Sequence, residues 1–441
     1  MMAGGTWTVQ NKKIPGIYMN FVSEAAPLGT LGDRGVVSLP LSLSWGPSKT
    51  LVAIDAGANV FDVLGYDITD PKLILIKEAF KNASRVLLYR LNTGTKATVT
   101  AGVLTATALY GGVRGNDITV VIEANVDNTS KFDVVTILSG TEMDRQTVGT
   151  AGELVANNWV TFSGTAGALA ETAGAPLVGG ADGTVANGDH TEYLTKIEVQ
   201  NFNTIGLTST DATLKSVYVA FAKRLRDDEG KYIQVVLPEY PKADYEGVIS
   251  VKNGVALTDG TTLTAAEVCA WVAGATAGAN VNESLTNKAY EDAADVVTKY
   301  TRIQLEAAAD AGEFVFTTRP DGTVIVLYDI NTLTSFTPKK GKLFRKNRVI
   351  RVLDAIGIDY QTIFSKFYVG KVNNNDIGRN LFKNECVNYM EDLQDIEAVQ
   401  NFDAQSDIAV IKGDESDAVL IKQAIQPVDS AEKFYFEITV S

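Results

Sequence analysis

Apolar and polar residues alternate one by one at the end of the chain. Within residues 432–441, Phe434, Phe436, Ile438 and Val440 are interleaved with Tyr435, Glu437 and Thr439. That period of two predicts a β-strand with one apolar face. Chain ends fray unless something pins them, so such a strand requires a partner in its own sheet or in another molecule's. The opposite end repeats the idea. Residues 6–10 alternate around Trp7 and Val9, and 14–18 carry a bend at Pro15-Gly16 before a short apolar run with Ile17 and Tyr18. Strand-like arms at both ends suggest a subunit stitched into an array.

Between the arms the pattern changes twice. Residues 35–43 read as a strand, Thr69-Asp70-Pro71 as a helix start, 72–83 as a helix and 85–91 as a buried strand, the signature of an α/β layer. From 95 to 180 charges thin out and short strands recur at 97–103, 117–123, 132–138 and 159–162. This predicts an all-β insert, a small sandwich or barrel. Residues 142–145 and 151–156 suggest helix or turn, and the Gly- and Ala-rich stretch 165–180 reads as a return linker. The α/β texture resumes at 181, with a helix at 214–227 and strands at 232–237 and 248–251. Thr264 and Glu267 form a capping box for a helix at 264–274. Strands at 314–316 and 324–328 flank the turn Arg319-Pro320-Asp321-Gly322, and two long helices follow at 347–368 and 379–402. In the second, Phe382, Cys386, Tyr389, Leu393, Ile396 and Val399 fall on one face. The expected division is an arm at 1–22, core at 23–94, the all-β insert at 95–180, α/β core at 181–345, a helical part at 346–425 and an arm at 426–441.

Composition narrows the function. At 441 residues the chain exceeds one simple core. The net charge of −14 argues against a general binder of nucleic acid or anionic membrane. No apolar run approaches the ~20 residues of a membrane span, and the N-terminus lacks the apolar stretch of a secretion signal, so the expectation is assembly in a cytoplasm without direct membrane insertion. Cys269 and Cys386 lie far apart without a CxxC spacing and read as core fillers.

Candidate chemistry is sparse. His190 is the one histidine, set in a loop-like Gly188-Asp189-His190-Thr191, which gives a catalytic triad no support and excludes a multi-histidine metal site. Gly46-Pro47-Ser48-Lys49-Thr50 lacks the first glycine of a P-loop and puts proline where an N–H is needed. Gly111-Gly112-Val113-Arg114-Gly115 reads as turn chemistry, residues 179–183 as an isolated partial calcium repeat, and Asp414-Glu415-Ser416-Asp417 as an acidic surface loop. No cofactor or metal is expected. Residues 339–351 hold seven cations and no acid, among them Lys339, Lys340, Arg345 and Arg348, whereas 379–441 carries 13 acids against 5 bases. This run is either a solvated loop or an electrostatic contact for an acidic partner, such as a neighbouring subunit.

Several stretches together resemble the contractile tail sheath proteins of bacteriophages and of phage-tail-like bacteriocins, in particular the prophage-type sheaths of Gram-positive bacteria. They are Ile14-Pro15-Gly16-Ile17-Tyr18, Trp45-Gly46-Pro47, Tyr110 to Asn116, Leu177 to Gly183, Arg351 to Asp354, Phe367 to Lys371, Asn374-Asn375-Asp376, Gly378-Arg379 and 393–402. Their order covers nearly the whole chain.

The resemblance implies an α/β (α+β) core built from both ends of the chain, a protruding all-β insert and extended terminal arms. Hexameric discs would stack helically around a tail tube and contract to drive it through a cell envelope. Trp7, Val9, Ile17, Tyr18, Phe434, Phe436, Ile438 and Val440 would complete intersubunit β-sheets, hinged at Gly4, Gly5, Gly16 and Pro427. The implied partners are copies of this chain in sixfold array, a tail tube protein, and baseplate and tail terminator proteins, without nucleic acid. The tube contact would fall on helix 379–402, with Lys383, Glu391 and Asp395 exposed, or on the cationic run. The competing readings are a non-contractile or surface-array subunit, which would need an export signal, and an α/β enzyme, which would need a pocket of convergent polar groups.

Overall fold

The computed structural model describes residues 34–164 and 167–440, and the backbone of two strands, Ala3–Gly5 and Gly16–Tyr18. The chain divides into two compact units: Asp33–Ile358 with Pro427–Ser441, and Asp359–Gln426 with Met1–Gly32.

The larger unit is built on a seven-stranded sheet. Its order is Glu313–Phe314, Val248–Val251, Gln234–Pro238, Thr204–Gly206, Val36–Leu41, Arg85–Arg90, Leu51–Asp55. Every neighbouring pair is parallel except the last, where Leu51 faces Tyr89 in an antiparallel ladder. Parallel strands require crossovers, and the helices these supply cover both faces. Ile74–Phe80 and Ala265–Gly278 lie on the side of Val37, Leu39, Val86, Leu88, Val236 and Ile249. Asn187–Ile197 and Ala212–Lys223 lie on the side of Leu87, Tyr89, Ile205, Val235 and Leu237. The strand alternation thus feeds two cores at once, as a doubly wound α/β sheet requires. The Thr264–Glu267 capping box forms as expected, each residue's side chain accepting from the other's N–H. Asp70 caps the turn Pro71–Leu73 that leads into the helix Ile74–Phe80.

The insert is all β, as expected. One sheet runs Thr141–Val148, Phe132–Leu138, Ile118–Ala124, Thr172–Pro176, and the other Val160–Gly164, Leu104–Ala108, Thr98–Ala101. Ile118, Val120, Val134, Leu104, Ala106 and Val160 bury their inward faces together. The two passages joining it to the core pair side by side, Thr95 with Ala181 and Thr98 with Val178. Trp45 of the core stacks on Trp159 at 5.6 Å and meets Tyr110 edge-on at 5.4 Å. Arg90, fully buried, donates to the carbonyls of Gly46 and Gly111 and so ties core to insert.

Three expectations in the core and the insert need correction. Residues 142–145 are neither helix nor turn but part of the edge strand Thr141–Val148, whose polar run suits a solvated face. There Arg145 pairs across the sheet with Glu123 and Asp133, and along its own strand with Glu142. The stretch read as a return linker contributes Thr172–Pro176, which pairs with Ile118–Ala124. His190 is not an exposed loop residue. It sits in the helix Asn187–Ile197, begun by Asp189 accepting from the Ala186 N–H at 2.6 Å, and its ring is buried with Nδ1 2.8 Å from the Tyr218 hydroxyl. Asn187 and Gly188 look like loop residues in the sequence because the helix is capped from within, by the Asp189 side chain, and not by a polar residue ahead of it.

In the smaller unit, Asp376–Asp395 is a helix capped by Asn375, whose side chain accepts from the Gly378 N–H at 2.8 Å. Phe382, Cys386, Tyr389 and Leu393 are buried along one face, while Ile396 and Val399 lie beyond the helix end. Tyr389 donates to Asp359 at 2.6 Å and Tyr368 to Glu385 at 2.7 Å, fastening this helix to the end of Asn347–Phe367. A hairpin of Ile408–Lys412 and Val419–Gln423 packs on it through Ile408.

Candidate assembly surface

The expected terminal strand has no strand partner among the described residues. From Val428 to Val440 no pairing occurs there, and Phe434, Phe436, Ile438 and Val440 are 69–90% exposed. A period-two apolar face held in water leaves its side chains unburied and its solvated N–H and C=O groups available to a sheet edge.

The root of this tail is held differently. Lys346, largely buried, forms ion pairs with Glu432 and, at 3.2 Å, with Asp429. The Glu432 carboxylate also accepts from Ser430 Oγ at 2.8 Å and Ser284 Oγ at 3.2 Å. Burial disfavours both charges, yet the pairing prevails: the Glu432 carboxyl is held below its ordinary value and the Lys346 ammonium above its own. Lys346 also lies 4.5 Å from the centre of the Tyr328 ring. Sequence reasoning missed this pair. Its signal was a lone acid two positions before the alternating run, set against the cationic stretch 339–351.

The rest of that stretch is only partly available to another molecule. Lys340 pairs with Glu246, and Arg351 is buried against Asp329 at 2.7 Å. Lys339 is exposed and Arg345 and Arg348 are half-buried. Elsewhere Lys383 is half-buried on the helix Asp376–Asp395, while Glu391 and Asp395 are exposed.

The hairpin in the smaller unit offers a complementary surface. Ile411 and Leu420 face each other across it and are both exposed, and its sheet has two strands among the described residues, leaving both edges open. At the N-terminal end, Gly4 and Gly5 lie in Ala3–Gly5, which pairs in parallel with Gly16–Tyr18 so that Gly4 faces Ile17 and Gly5 faces Tyr18. Trp7 and Val9 lie outside the described residues. Pro427 stands at the boundary between the two units. The two cysteines are buried in separate cores, and burial pushes the Cys386 thiol up to about 11. No helix among the described residues is long and apolar enough to cross a membrane.

Four family models match the chain in succession. They are the tail sheath protein Gp18 domain III N-terminal region over residues 34–91, the phage tail sheath protein beta-sandwich domain over 92–182, the phage tail sheath protein central domain over 183–332, and the phage tail sheath C-terminal domain over 339–441. The solved sheath tail protein of Desulfitobacterium hafniense is 59% identical, with a TM-score of 0.88 over 96% of this chain and 99% of that one. The phage-like element PBSX protein XkdK of Bacillus subtilis (strain 168) is 41% identical over the full length of both chains. The helical sheath of the anti-feeding prophage, solved in its contracted state, shares the fold at 14% identity, with a TM-score of 0.57 over 97% of this chain and 99% of that one.

Proposed function

The chain belongs to the phage tail sheath family, and on that footing we propose that it is the repeating structural subunit of a contractile sheath. Copies stack as sixfold discs around a tail tube, between a baseplate and a tail terminator, and drive the tube through a cell envelope when they contract. The observation that carries this reading is the exposed apolar alternation of the tail, which is unpaired among the described residues, as are both edges of the hairpin Ile408–Lys412 and Val419–Gln423. A strand added to a neighbour's sheet edge gains main-chain hydrogen bonds and side-chain contacts together. Donor and acceptor surfaces differ, so the contact is heterologous and propagates as an open helix instead of closing as a dimer. Contraction then requires two packings of the subunits, the second lower in free energy, with the linked strands preserved between them. Gly4, Gly5, Gly16 and Pro427 are the proposed hinges. The insert would project outward, and Glu391, Asp395 and Lys383, or the exposed end of the cationic run at Lys339, would meet the tube or a neighbour.

Negative-stain electron microscopy of the full-length protein, beside a variant lacking residues 426–441, tests this. Striated hollow tubes from the first and only small particles from the second are expected. Tubes of equal quality from both would overturn the assignment of the tail as the link.

A further inference from the structure

The tail changes character within two residues. The Glu432 side chain is 9% exposed and fully engaged, whereas Phe434 is 69% and Tyr435 90% exposed. Beyond Glu432 the tail does not fit its own subunit closely. Phe434 borders an open groove with Ser284, Thr286 and Ile325, and Tyr435 borders another with Leu305, Ala309 and Tyr328. Side chains this exposed gain little burial from the surface beneath them, so residues after 432 are not held there as Glu432 is.

We propose that Lys346 and Glu432 form a clasp that fixes where the arm leaves its subunit and in which register it is presented. The proposal rests on the reading of the tail as an intersubunit strand. The exchangeable segment then begins at Lys433, not at Pro427. Nine extended residues reach at most about 30 Å, where fifteen would reach about 50 Å, so the clasp shortens the distance over which a neighbour is captured. A shorter tether raises the effective concentration of the strand at an edge within its reach.

Register follows from parity. Glu432 shares its parity with Phe434, Phe436, Ile438 and Val440. In a paired strand, alternate residues share a face, and a slip of one residue turns the apolar set to the other side. A one-residue slip at the root would also bring Ala431 or the cation Lys433 to Lys346, losing the pair or replacing it with repulsion. A buried ion pair of this kind serves register better than net stability. Lys346 and Glu432 are therefore positioning residues for assembly, and Asp429 adds a second carboxylate to Lys346 at 3.2 Å.

The test uses full-length protein and two readouts, hydrogen exchange on unassembled subunits and electron microscopy of assemblies. In the unaltered protein, exchange should be slow over 428–432 and fast from 434 onward. Glu432→Gln and Lys346→Met should speed exchange over 428–432 at least tenfold and leave the central sheet unchanged. One alanine inserted after Glu432 should keep the slow exchange and abolish ordered tubes, and two inserted alanines should restore them. Slow exchange retained in both substituted variants would overturn the clasp. Equal tube formation with one and two inserted alanines would overturn its setting of register. A variant lacking only 433–441 separates the two ideas: tubes from it would sink the intersubunit reading of the tail, while the exchange result would still judge the clasp.

Discussion

Arg226 and Asp354, 128 residues apart in sequence, meet as a two-pronged ion pair, Nη1 to Oδ2 and Nη2 to Oδ1 both at 2.7 Å. Each side chain is 7% exposed. Arg226 lies in the π-helical turn Arg224–Asp228 that ends the helix Ala212–Lys223, and the wider turn re-aims its guanidinium toward the helix Asn347–Phe367. One turn earlier along that helix, Arg351 pairs with Asp329, which also accepts from the Leu285 N–H and the Asn347 side chain. The first turns of Asn347–Phe367 are thus fastened to the larger unit by charge as well as by Val349, Ile350 and Val352.

Removing one partner of such a pair strands a buried charge. Asp354→Asn or Arg226→Ala should destabilise the larger unit by ~3–5 kcal/mol, read from the midpoint of urea unfolding. Arg226→Lys should recover only part of the loss, because an ammonium does not reproduce the two parallel bonds. A loss below about 1 kcal/mol for Asp354→Asn would show that the pair does not bind the helix.

His190 makes stability pH-dependent. Burial holds its imidazole below the ordinary 6.5, with Asp189 and Asp211 opposing the shift and Lys49 adding to it. Between the folded and unfolded values, the unfolded chain carries a proton that the folded chain lacks. Stability is therefore complete above 6.5, declines as pH falls through that window, and levels off below the folded value. His190→Asn, which keeps a polar atom near the Tyr218 hydroxyl, should flatten the decline measured between about pH 7 and 5. An unchanged slope would assign it to other groups.

Gly274 is where two helices touch. A Cβ there would lie 2.4 Å from the Ala79 carbonyl oxygen, a backbone atom that does not swing aside. Gly274→Val should cost ~1–3 kcal/mol and lower the melting temperature. A variant as stable as the parent would mean that Ile74–Phe80 and Ala265–Gly278 pack less closely than described.

The tail itself should be dispensable for folding. Phe436→Asp combined with Ile438→Asp changes exposed positions, so the unfolding free energy should stay within about 0.5 kcal/mol of the parent. Ordered assembly should be lost, as scored by sedimentation. Assembly at parental levels would remove the apolar face from the contact.

Much of the fold was legible locally. Strands such as Phe132–Leu138 and Val248–Val251, the capping box at Thr264, and the turn at Asp321-Gly322 carry their instructions within a few residues, because backbone propensity and capping act over that range. The edge strand Thr141–Val148 was not legible, since its polar side chains find their meaning only opposite Glu123 and Asp133. Nor was the burial of His190, which depends on Tyr218 from another helix.

The same division holds at the assembly surface. The sequence by itself determined that apolar and polar side chains alternate along residues 434–440, because alternation is a property of consecutive residues. Tertiary structure decided that this segment forms no strand with the described residues while its root is seated by Lys346 and Ser284, with Asp429 also on Lys346. Lys346 and Glu432 are separated by 86 residues, and the value of a charge is set by its burial and its partner, neither of which is written in its neighbours.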